Sequence, residues 1–547
     1  MHQSRREFLK FMGGGALATF GLGSFFARPR ITHAADRIQG IAPGTADELR
    51  LAAGLTYNVL VREGDVIHTG SGRRFGSNND FIAFFPDARD ANRAVLWVNH
   101  EFPCMLFEGD RVFWTPKTRE QFAQSRAAVG GSRLALRRNR RGEWELDPDD
   151  RKNFRVDGAT KIALSRPLAG RKFAEGTLGN CAGGVTPWGT LLTCEENHIY
   201  YYGETRWRNG GPVEFLEPRE NKRMDWQKFK QNSPDDYGWV VEVDLATGRA
   251  VKQIALGRCF HECATVAPFL DYNKSGRVAV YSGDDTPGGC IYKFLSNKKN
   301  DLSEGTLYAA DTNNGRWVEL SPRNPALKEF GSLENILIHA RDAALIAGAT
   351  PQDRPEDIEL MPGQSGVVLI SLTNNPKQTP PNYYGSLLKL SEAGGDPAAL
   401  TFKSETFLAG GPGHGTGDTF ACPDNLAFDP RGNLWLTCDV SESEIGRGAY
   451  RDSGNNGLYL IPMSGAQAGK VIQVAHAPVD AEFTGPRFSP DGRTLFLSVQ
   501  HPGSGTQSRA KPTSHWPDGP RPEGFPKSAV VVISGELLER VSAVAVD

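Results

Sequence analysis

The chain has 547 residues, and its 62 Lys and Arg against 64 Asp and Glu give a formal net charge of −2. Proteins that bind nucleic acid are expected to be basic, so this balance argues against nucleic acid as a partner. Short Val, Ile, Leu and Phe runs separated by many of the 61 Gly and 35 Pro residues are typical of an all-β protein with long loops.

Residues 1–35 have the features of a twin-arginine signal peptide. The segment from Ser4 to Lys10 reads SRREFLK, the Gly-rich apolar run 12–27 is short for a membrane span, and Thr32-His33-Ala34 resembles a cleavage site. We therefore expect the twin-arginine export machinery as a partner, no stable membrane anchor, and a periplasmic or secreted mature protein. Residues 36–547 are expected to form one domain, whose eight cysteines include no Cys-x-x-Cys pair and leave any disulfide pairing open.

The stretch Asn180–His198, NCAGGVTPWGTLLTCEENH, combines a cysteine with two adjacent carboxylates. An apolar strand leads into Glu195 and Glu196, and Cys181 lies in a Gly-rich turn before it. If the strand folds back beside the turn, a thiolate and a carboxylate can share one metal. That ligand set suits a borderline transition metal such as iron, whereas the alternative is a buried structural cysteine beside a solvated Glu pair.

A pattern of an apolar strand followed by a polar cluster occurs six times. The strands and the clusters after them are Ala94–Val98 with Asn99-His100-Glu101, Leu191–Thr193 with Glu195-Glu196, Val278–Tyr281 with Asp284-Asp285, Val367–Leu372 with Thr373-Asn374-Asn375, Leu434–Thr437 with Cys438-Asp439, and Leu495–Val499 with Gln500-His501. Recurring units of this kind predict a six-bladed β-propeller. Their spacing exceeds the roughly 40–45 residues of an ordinary blade, so most blades should carry insertions.

In a propeller the corresponding ends of these strands meet at one end of the central channel, which we call the mouth. Three further stretches fit the same place, namely Gly257–Glu262, Asp353–Asp357 and Glu482–Pro486. Packing so many acidic groups together is costly unless cations neutralise them. An arginine beside such a cluster, Arg354, is suited to hold an oxyanion such as phosphate.

The segments NHE, NCAGGVTPWGTLLTCEEN, GRxxHE, SGDD, DRPED and SVQHPG, in this order, resemble the PhoX family of alkaline phosphatases. The resemblance covers the chain from about Asp47 to the C-terminus. It implies a six-bladed propeller with two irons and several calciums at its mouth. It also implies hydrolysis of small-molecule phosphoesters by metal-assisted attack of a metal-bound oxygen, with release of inorganic phosphate.

Carried over by position, the resemblance makes Arg354, Glu356 and Cys181 the catalytic candidates, with Arg354 gripping the phosphate and Cys181 supplying the iron thiolate. The implied metal ligands are Cys181, Asn99, Glu101, Glu195, Glu196, Glu262, Asp284, Asp285, Glu356 and Glu482. The chain departs from the family pattern at Asp357, where an aromatic residue is expected after the Arg-Pro-Glu of the fourth motif.

Two other functions remain open at the level of sequence. Pro423–Leu436 also resembles the calcium-dependent lactonase and gluconolactonase propellers, which need neither a thiolate nor a phosphate-gripping arginine. A non-catalytic binding propeller would turn over no ester and would not depend on Cys181. Bound iron distinguishes the phosphatase from both.

Export should depend on the arginine pair, because the twin-arginine signal is read as a unit. We expect Arg5→Lys combined with Arg6→Lys to keep the protein in the cytoplasm, as measured by fractionation and immunoblotting. Lys10→Arg, outside the pair, should export normally. Normal periplasmic levels of the double variant would show that the segment is not a twin-arginine signal.

Overall fold

The computed structural model describes residues 37–215, 224–413, 417–521 and 524–544, and it confirms the predicted six-bladed β-propeller. The proposed signal peptide lies outside the described residues. Each blade is an antiparallel sheet around the central channel, and among the described strands only the outer part of blade 2 contains a parallel pair.

From the channel outward, blade 1 contains Asn79–Pro86, Arg93–His100 and Gly130–Arg138, which pairs with both Trp144–Leu146 and Phe154–Val156. Blade 2 contains Asn180–Val185, Leu191–Glu195, Val240–Val243, Ala250–Lys252, Lys161–Leu168 and Arg171–Glu175. Blade 3 contains Thr265–Pro268, Val278–Gly283, Ile291–Ser296, Gly305–Asp311 and Arg316–Glu319. Blade 4 contains Pro355–Leu360, Val367–Leu372, Ser386–Glu392 and Phe402–Ala409. Blade 5 contains Pro423–Phe428, Leu434–Cys438, Gly457–Ile461, Ile472–His476 and Arg50–Leu51. Blade 6 contains Glu482–Phe488, Leu495–Gln500, Ala529–Ser534 and Thr56–Arg62.

Shorter elements lie in the connections between these strands. Two-stranded sheets pair Val66–His68 with Arg73–Arg74, Leu106–Glu108 with Arg111–Phe113, and Glu204–Arg208 with Gly211–Phe215. The α-helices are Arg119–Ala128, Ile199–Tyr202, Tyr272–Ser275, Leu333–Ile338, Ala340–Ala347 and Glu536–Val541. The 3-10 helices are Trp226–Lys228, Pro234–Asp236, Ile254–Leu256, Pro325–Phe330, Ala393–Gly395 and Gly448–Tyr450. In the described part of the chain no helix is both long and apolar enough to cross a membrane.

The N-terminal strands close the ring of blades. Thr56–Arg62 pairs with Ala529–Ser534 as the outermost strand of blade 6, and Arg50–Leu51 pairs with Ile472–His476 at the edge of blade 5. Residues from the two ends of the chain therefore share two sheets. This pairing ties the last blades to the start of the chain, and it covers edges that would otherwise be open.

The core lies between neighbouring blades. Successive side chains of a strand point to opposite faces of its sheet, so each blade packs against a neighbour on both sides. In blade 3, Val278 and Val280 lie in the apolar cluster shared with blade 2, whereas Ala279 and Tyr281 lie in the cluster shared with blade 4. The apolar runs thus hold the ring together, and the strand ends are left to form the mouth.

One detail of the sequence interpretation is wrong. The six apolar segments are the second strands of their blades, whereas the innermost strands precede them and are less apolar. The segment of Cys181, which we expected to be a Gly-rich turn, is the innermost strand Asn180–Val185 of blade 2. The turn lies after it, and the strand pairs antiparallel with Leu191–Glu195.

Gly184 shows how closely the blades approach. A Cβ at this position would lie 1.9 Å from the carbonyl oxygen of Ala264, in the adjoining blade. We expect Gly184→Ala to lower the free energy of unfolding by about 1–3 kcal/mol or more, because the clash is with backbone and the two blades must separate. Thermal unfolding followed by circular dichroism measures this. Gly211→Ala is the matched control, because a Cβ there meets nothing within 4 Å; equal midpoints for the two variants would contradict the close packing.

Candidate metal centre

Each blade contributes one side chain to the mouth from the start of its innermost strand or just before it. In blade order these residues are Asp80, Cys181, Glu262, Glu356, Asp424 and Glu482. All six are buried. The innermost strands run in the same direction around the ring, so their first residues meet at one end of the channel. We call these six residues the inner ring.

In four blades the pairing of the first and second strands is irregular beside the inner-ring residue. The register between first and second strands shifts after Asn79, Asn180, Pro355 and Pro423, directly before the inner-ring residue. A bulge of this kind turns a side chain away from the regular alternation of the sheet. It explains why Asp80, Cys181, Glu356 and Asp424 reach the channel end instead of packing between blades.

A second set of polar residues follows the second strands of the blades. Glu101, Glu196 and Asp439 come directly after these strands end, and Asp285 is the second residue after its strand. Glu101 accepts hydrogen bonds from Asn197 Nδ2 at 2.8 Å and from Gln500 Nε2 at 2.5 Å. We call these four carboxylates the outer ring.

Cys181 lies among carboxylates in a buried position. Its Sγ is 3.0 Å from Glu262 Oε1 and 3.2 Å from Asp80 Oδ2. Burial, together with the surrounding carboxylates, raises the pKa of its thiol well above the usual range. A metal ion would reverse this, since a coordinating thiol is deprotonated by its metal.

Three overlapping groups of residues have ligand geometry, with all potential ligand atoms of a group within 4.8 Å of one another. These groups are Asp80, Glu101 and Cys181; Cys181, Glu196 and Glu262; and Glu262, Glu356 and Asp424. Cys181 and Glu262 belong to two groups each, so adjacent ions could share them. The chain therefore arranges a row of neighbouring positions and not one isolated site.

The neighbouring carboxylates of the two rings need compensating positive charge. Burial and neighbouring carboxylates raise the pKa of Glu196, Glu262, Asp424 and Glu482 well above the usual range. Carboxylates buried side by side are costly as anions unless cations compensate them. One soft thiolate among hard carboxylates is a suitable donor set for iron together with calcium. The residues present thus fit the metals that the sequence predicts.

Arg354 lies at the mouth, in contact with three carboxylates. Its Nε and Nη2 donate to the two oxygens of Asp285 at 2.7 and 2.9 Å, and Nη2 is 2.9 Å from Glu356 Oε1. Asp439 lies farther away, at 3.6 Å. The residue has a positive φ of 55°, which is uncommon for a side chain of this kind. Its side chain remains 22% exposed, so the guanidinium can be reached from the mouth.

Glu195 pairs with a lysine and is not part of the outer ring, to which the adjacent Glu196 belongs. Its Oε1 is 2.6 Å from Lys252 Nζ, and its Oε2 accepts the backbone N–H groups of Gly238 and Trp239. Both oxygens are therefore occupied in a fully buried ion pair. We leave Glu195 out of the ligand set proposed below.

Asn99 and Asp284 also have protein partners. The Asn99 side chain donates to the carbonyl oxygens of Cys181 and Ala182, at 2.5 and 3.0 Å, so it supports the bulge that aims the thiol. Asp284 Oδ2 pairs with Arg341 Nε at 3.0 Å. These contacts suit positioning roles better than ligation.

Sequence reasoning missed Asp80 and Asp424 as site residues and treated Asp439 only as a polar strand end. Asp80 directly precedes the apolar segment Phe81–Phe85. One residue separates Asp424 from the apolar segment Leu426–Phe428. An acidic residue before the first strand of a blade was therefore the available signal. Sequence reasoning used this signal in the stretches that contain Glu262, Glu356 and Glu482, but did not apply it to the first strands of blades 1 and 5.

Comparison with known proteins was made by sequence and by structure. The family model described as Alkaline phosphatase PhoX matches residues 37–503, and no curated protein matches the chain by sequence. A solved structure of Pseudomonas fluorescens PhoX in complex with vanadate, a transition state analogue, is 30% identical to this chain. It has a TM-score of 0.78 and covers 93% of this chain and 99% of its own.

A gluconolactonase from Xanthomonas campestris also matches by structure, at 10% identity and a TM-score of 0.31, covering 89% of this chain and 99% of its own. A likeness this low carries no argument about activity. The family match extends over most of the chain and includes all the segments that supply the two rings. The chain belongs to the PhoX family of alkaline phosphatases.

Proposed function

We infer that the mouth is the active site of a phosphoric ester hydrolase, the activity of the family to which the chain belongs. The observation that carries this assignment is the buried cluster of one cysteine and many carboxylates beside Arg354. The phosphatase interpretation is favoured over the lactonase and binding-propeller alternatives, because neither of them needs the thiolate or the arginine.

We propose that two irons and several calciums bind at this mouth. The ligands in this proposal are Cys181, Asp80, Glu101, Glu196, Glu262, Asp285, Glu356, Asp424, Asp439 and Glu482. The metals would supply Lewis acidity and would neutralise the charge of the phosphoryl group. The vanadate bound to the Pseudomonas fluorescens protein supports a site for a phosphate-like group in the family.

The chain's own residues would hold and orient the substrate. Arg354 would exchange part of its pairing with Asp285 and Glu356 for two phosphate oxygens, using the planar fork of its guanidinium. Thr373 Oγ1 donates to Glu356 Oε1 at 2.5 Å and so fixes the carboxylate that lies against the arginine. Burial of the inner ring keeps its charges away from bulk water, which strengthens the charge interactions there.

The setting proposed for this activity is the periplasm or the extracellular medium, with small-molecule phosphoesters as substrates. Twin-arginine export carries folded proteins, so metals could be loaded before translocation. The sequence of residues 1–35 supports this proposal.

The thiolate can be tested by Cys181→Ala. A carboxylate shell replaces the strong metal–thiolate bond poorly, so we expect bound iron and phosphatase turnover to fall together. Metal analysis and a phosphoester assay at alkaline pH measure both. Cys194→Ala is the control, because Cys194 is fully buried in the apolar cluster between blades 2 and 3; it should lower stability but keep iron. Full iron and turnover in Cys181→Ala would make Cys181 only structural.

Replacement of Arg354 should separate phosphate binding from metal assembly. We expect Arg354→Ala to retain iron and calcium and to lose on the order of 10²–10³ in kcat, as for other lost oxyanion contacts. Arg354→Lys should recover only part of this, because an ammonium has no planar fork. Inhibition by inorganic phosphate should weaken in parallel. Arg316→Ala, which removes an arginine paired with Asp311 in blade 3, is the control and should change neither quantity. Loss of metals from Arg354→Ala would instead make Arg354 an organiser of the metal site.

A further inference from the structure

The connection between the second and third strands of blade 4, residues 373–385, is fastened to the residue directly before Arg354. We call it the blade 4 loop. Asp353 accepts hydrogen bonds from three of its amides, Asn375 Nδ2, Gln378 Nε2 and Asn382 Nδ2, each at 3.0 Å. Three amide donors on one carboxylate fix the loop against the start of the innermost strand. The loop therefore stands beside the proposed phosphate site.

Further hydrogen bonds hold the second half of the blade 4 loop. The backbones of Asn375 and Asn382 pair in both directions, at 2.7 and 3.1 Å. The Tyr450 hydroxyl donates to the carbonyl oxygen of Tyr383 at 2.7 Å, and the Cys422 N–H donates to that of Tyr384 at 3.0 Å. Both donors belong to blade 5, so the backbone at Tyr383 and Tyr384 is fixed against the neighbouring blade.

This fixed segment presents an aromatic side chain to solvent. Tyr383 is 40% exposed, and in the described part of the chain the only other aromatic among the exposed large hydrophobic residues is Phe173, on the outermost strand of blade 2. Exposure of a single aromatic is ordinary by itself. Here the ring is supported by Tyr384, whose ring centroid is 6.3 Å away, and Tyr384 lies 6.2 Å from Tyr450. The three tyrosine rings thus follow one another from the buried Tyr450 of blade 5 to Tyr383 at the surface of the loop.

We propose that Tyr383 is a specificity-determining residue that contacts the leaving group of the substrate and favours phosphoesters of flat aromatic alcohols. In the proposed site Arg354 holds the phosphoryl group. The carbonyl oxygen of Tyr383 lies 3.7 Å from Sγ of Cys422, two residues before Asp424 of the inner ring, so Tyr383 stands beside the mouth. An aromatic ligand gains offset or edge contacts with a tyrosine ring, and an alkyl ligand of one or two carbons does not reach it. This inference rests on the proposed function of the mouth.

The test uses binding and not turnover, so that it can fail separately from the proposed function. Phenylphosphonate and methylphosphonate carry the same phosphoryl charge and cannot be hydrolysed as esters. Their Kd values for the metal-loaded protein are measured by isothermal titration calorimetry. We expect Tyr383→Ala to weaken phenylphosphonate about 3- to 10-fold, the range of one aromatic contact, and to leave methylphosphonate unchanged.

Two further variants make the outcome decisive. Tyr383→Phe should bind both ligands as the natural protein does, because the ring is kept, and Phe173→Ala should change neither Kd. The contacts that hold the loop at Tyr383 come from its backbone, so the side chain can be shortened without removing them. Equal weakening of both phosphonates by Tyr383→Ala, or no weakening of either, would overturn the proposal. Absence of phosphatase turnover with this pattern of binding intact would refute the proposed function alone.

Discussion

The mutual repulsion of buried carboxylates at one end of a narrow channel is the constraint on which the rest of the structure depends. Asp80, Glu262 and their neighbours lie within contact of Cys181, where water cannot screen their charges. Such a cluster is tolerable only with cations inside it or protons on it. The propeller provides the geometry, because six innermost strands starting at one end bring six separate parts of the chain to a common point. Stability and function therefore make opposite demands on the same residues, and metal ions bound among them would satisfy both.

Different residues of each strand meet the demands of stability and of function. Apolar residues in the body of a strand pack between blades, as Val280 and Tyr281 do on opposite faces of blade 3, and they set the positions of the strand ends. Bulges at the start of four innermost strands then turn single side chains toward the channel. Other polar side chains hold the backbone at these positions, as Asn99 does by donating to the carbonyl oxygens of Cys181 and Ala182. The apolar residues packed between the blades thus support the mouth, and other residues of the same strands supply its charged side chains.

Sequence reasoning predicted the fold because the second strands are strongly apolar and end in recognisable polar clusters. It placed Glu196 at the mouth for the same reason, whereas Cys181 and Arg354 were placed there from the Asn180–His198 and Asp353–Asp357 stretches and from the family resemblance. The apolar pattern did not reveal the innermost strands, since segments such as Asn180–Val185 are glycine-rich and carry no apolar alternation. The sequence could not show that Glu196 belongs to the outer ring and Glu195 does not. That difference depends on the ion pair of Glu195 with Lys252, which is distant in the chain and meets Glu195 only after blade 2 folds. Asp80 was missed because its role depends on a bulge, which periodicity does not show.

Crystallography of the purified, exported protein with data collected at the iron absorption edge tests the central claim most directly. We expect anomalous scattering peaks within the mouth, one of them about 2.3 Å from Cys181 Sγ, close to the length of a zinc–thiolate bond. The remaining density among the carboxylates should be that of calcium, without an iron signal. A mouth that contains no iron, or iron bound away from Cys181, would contradict the account.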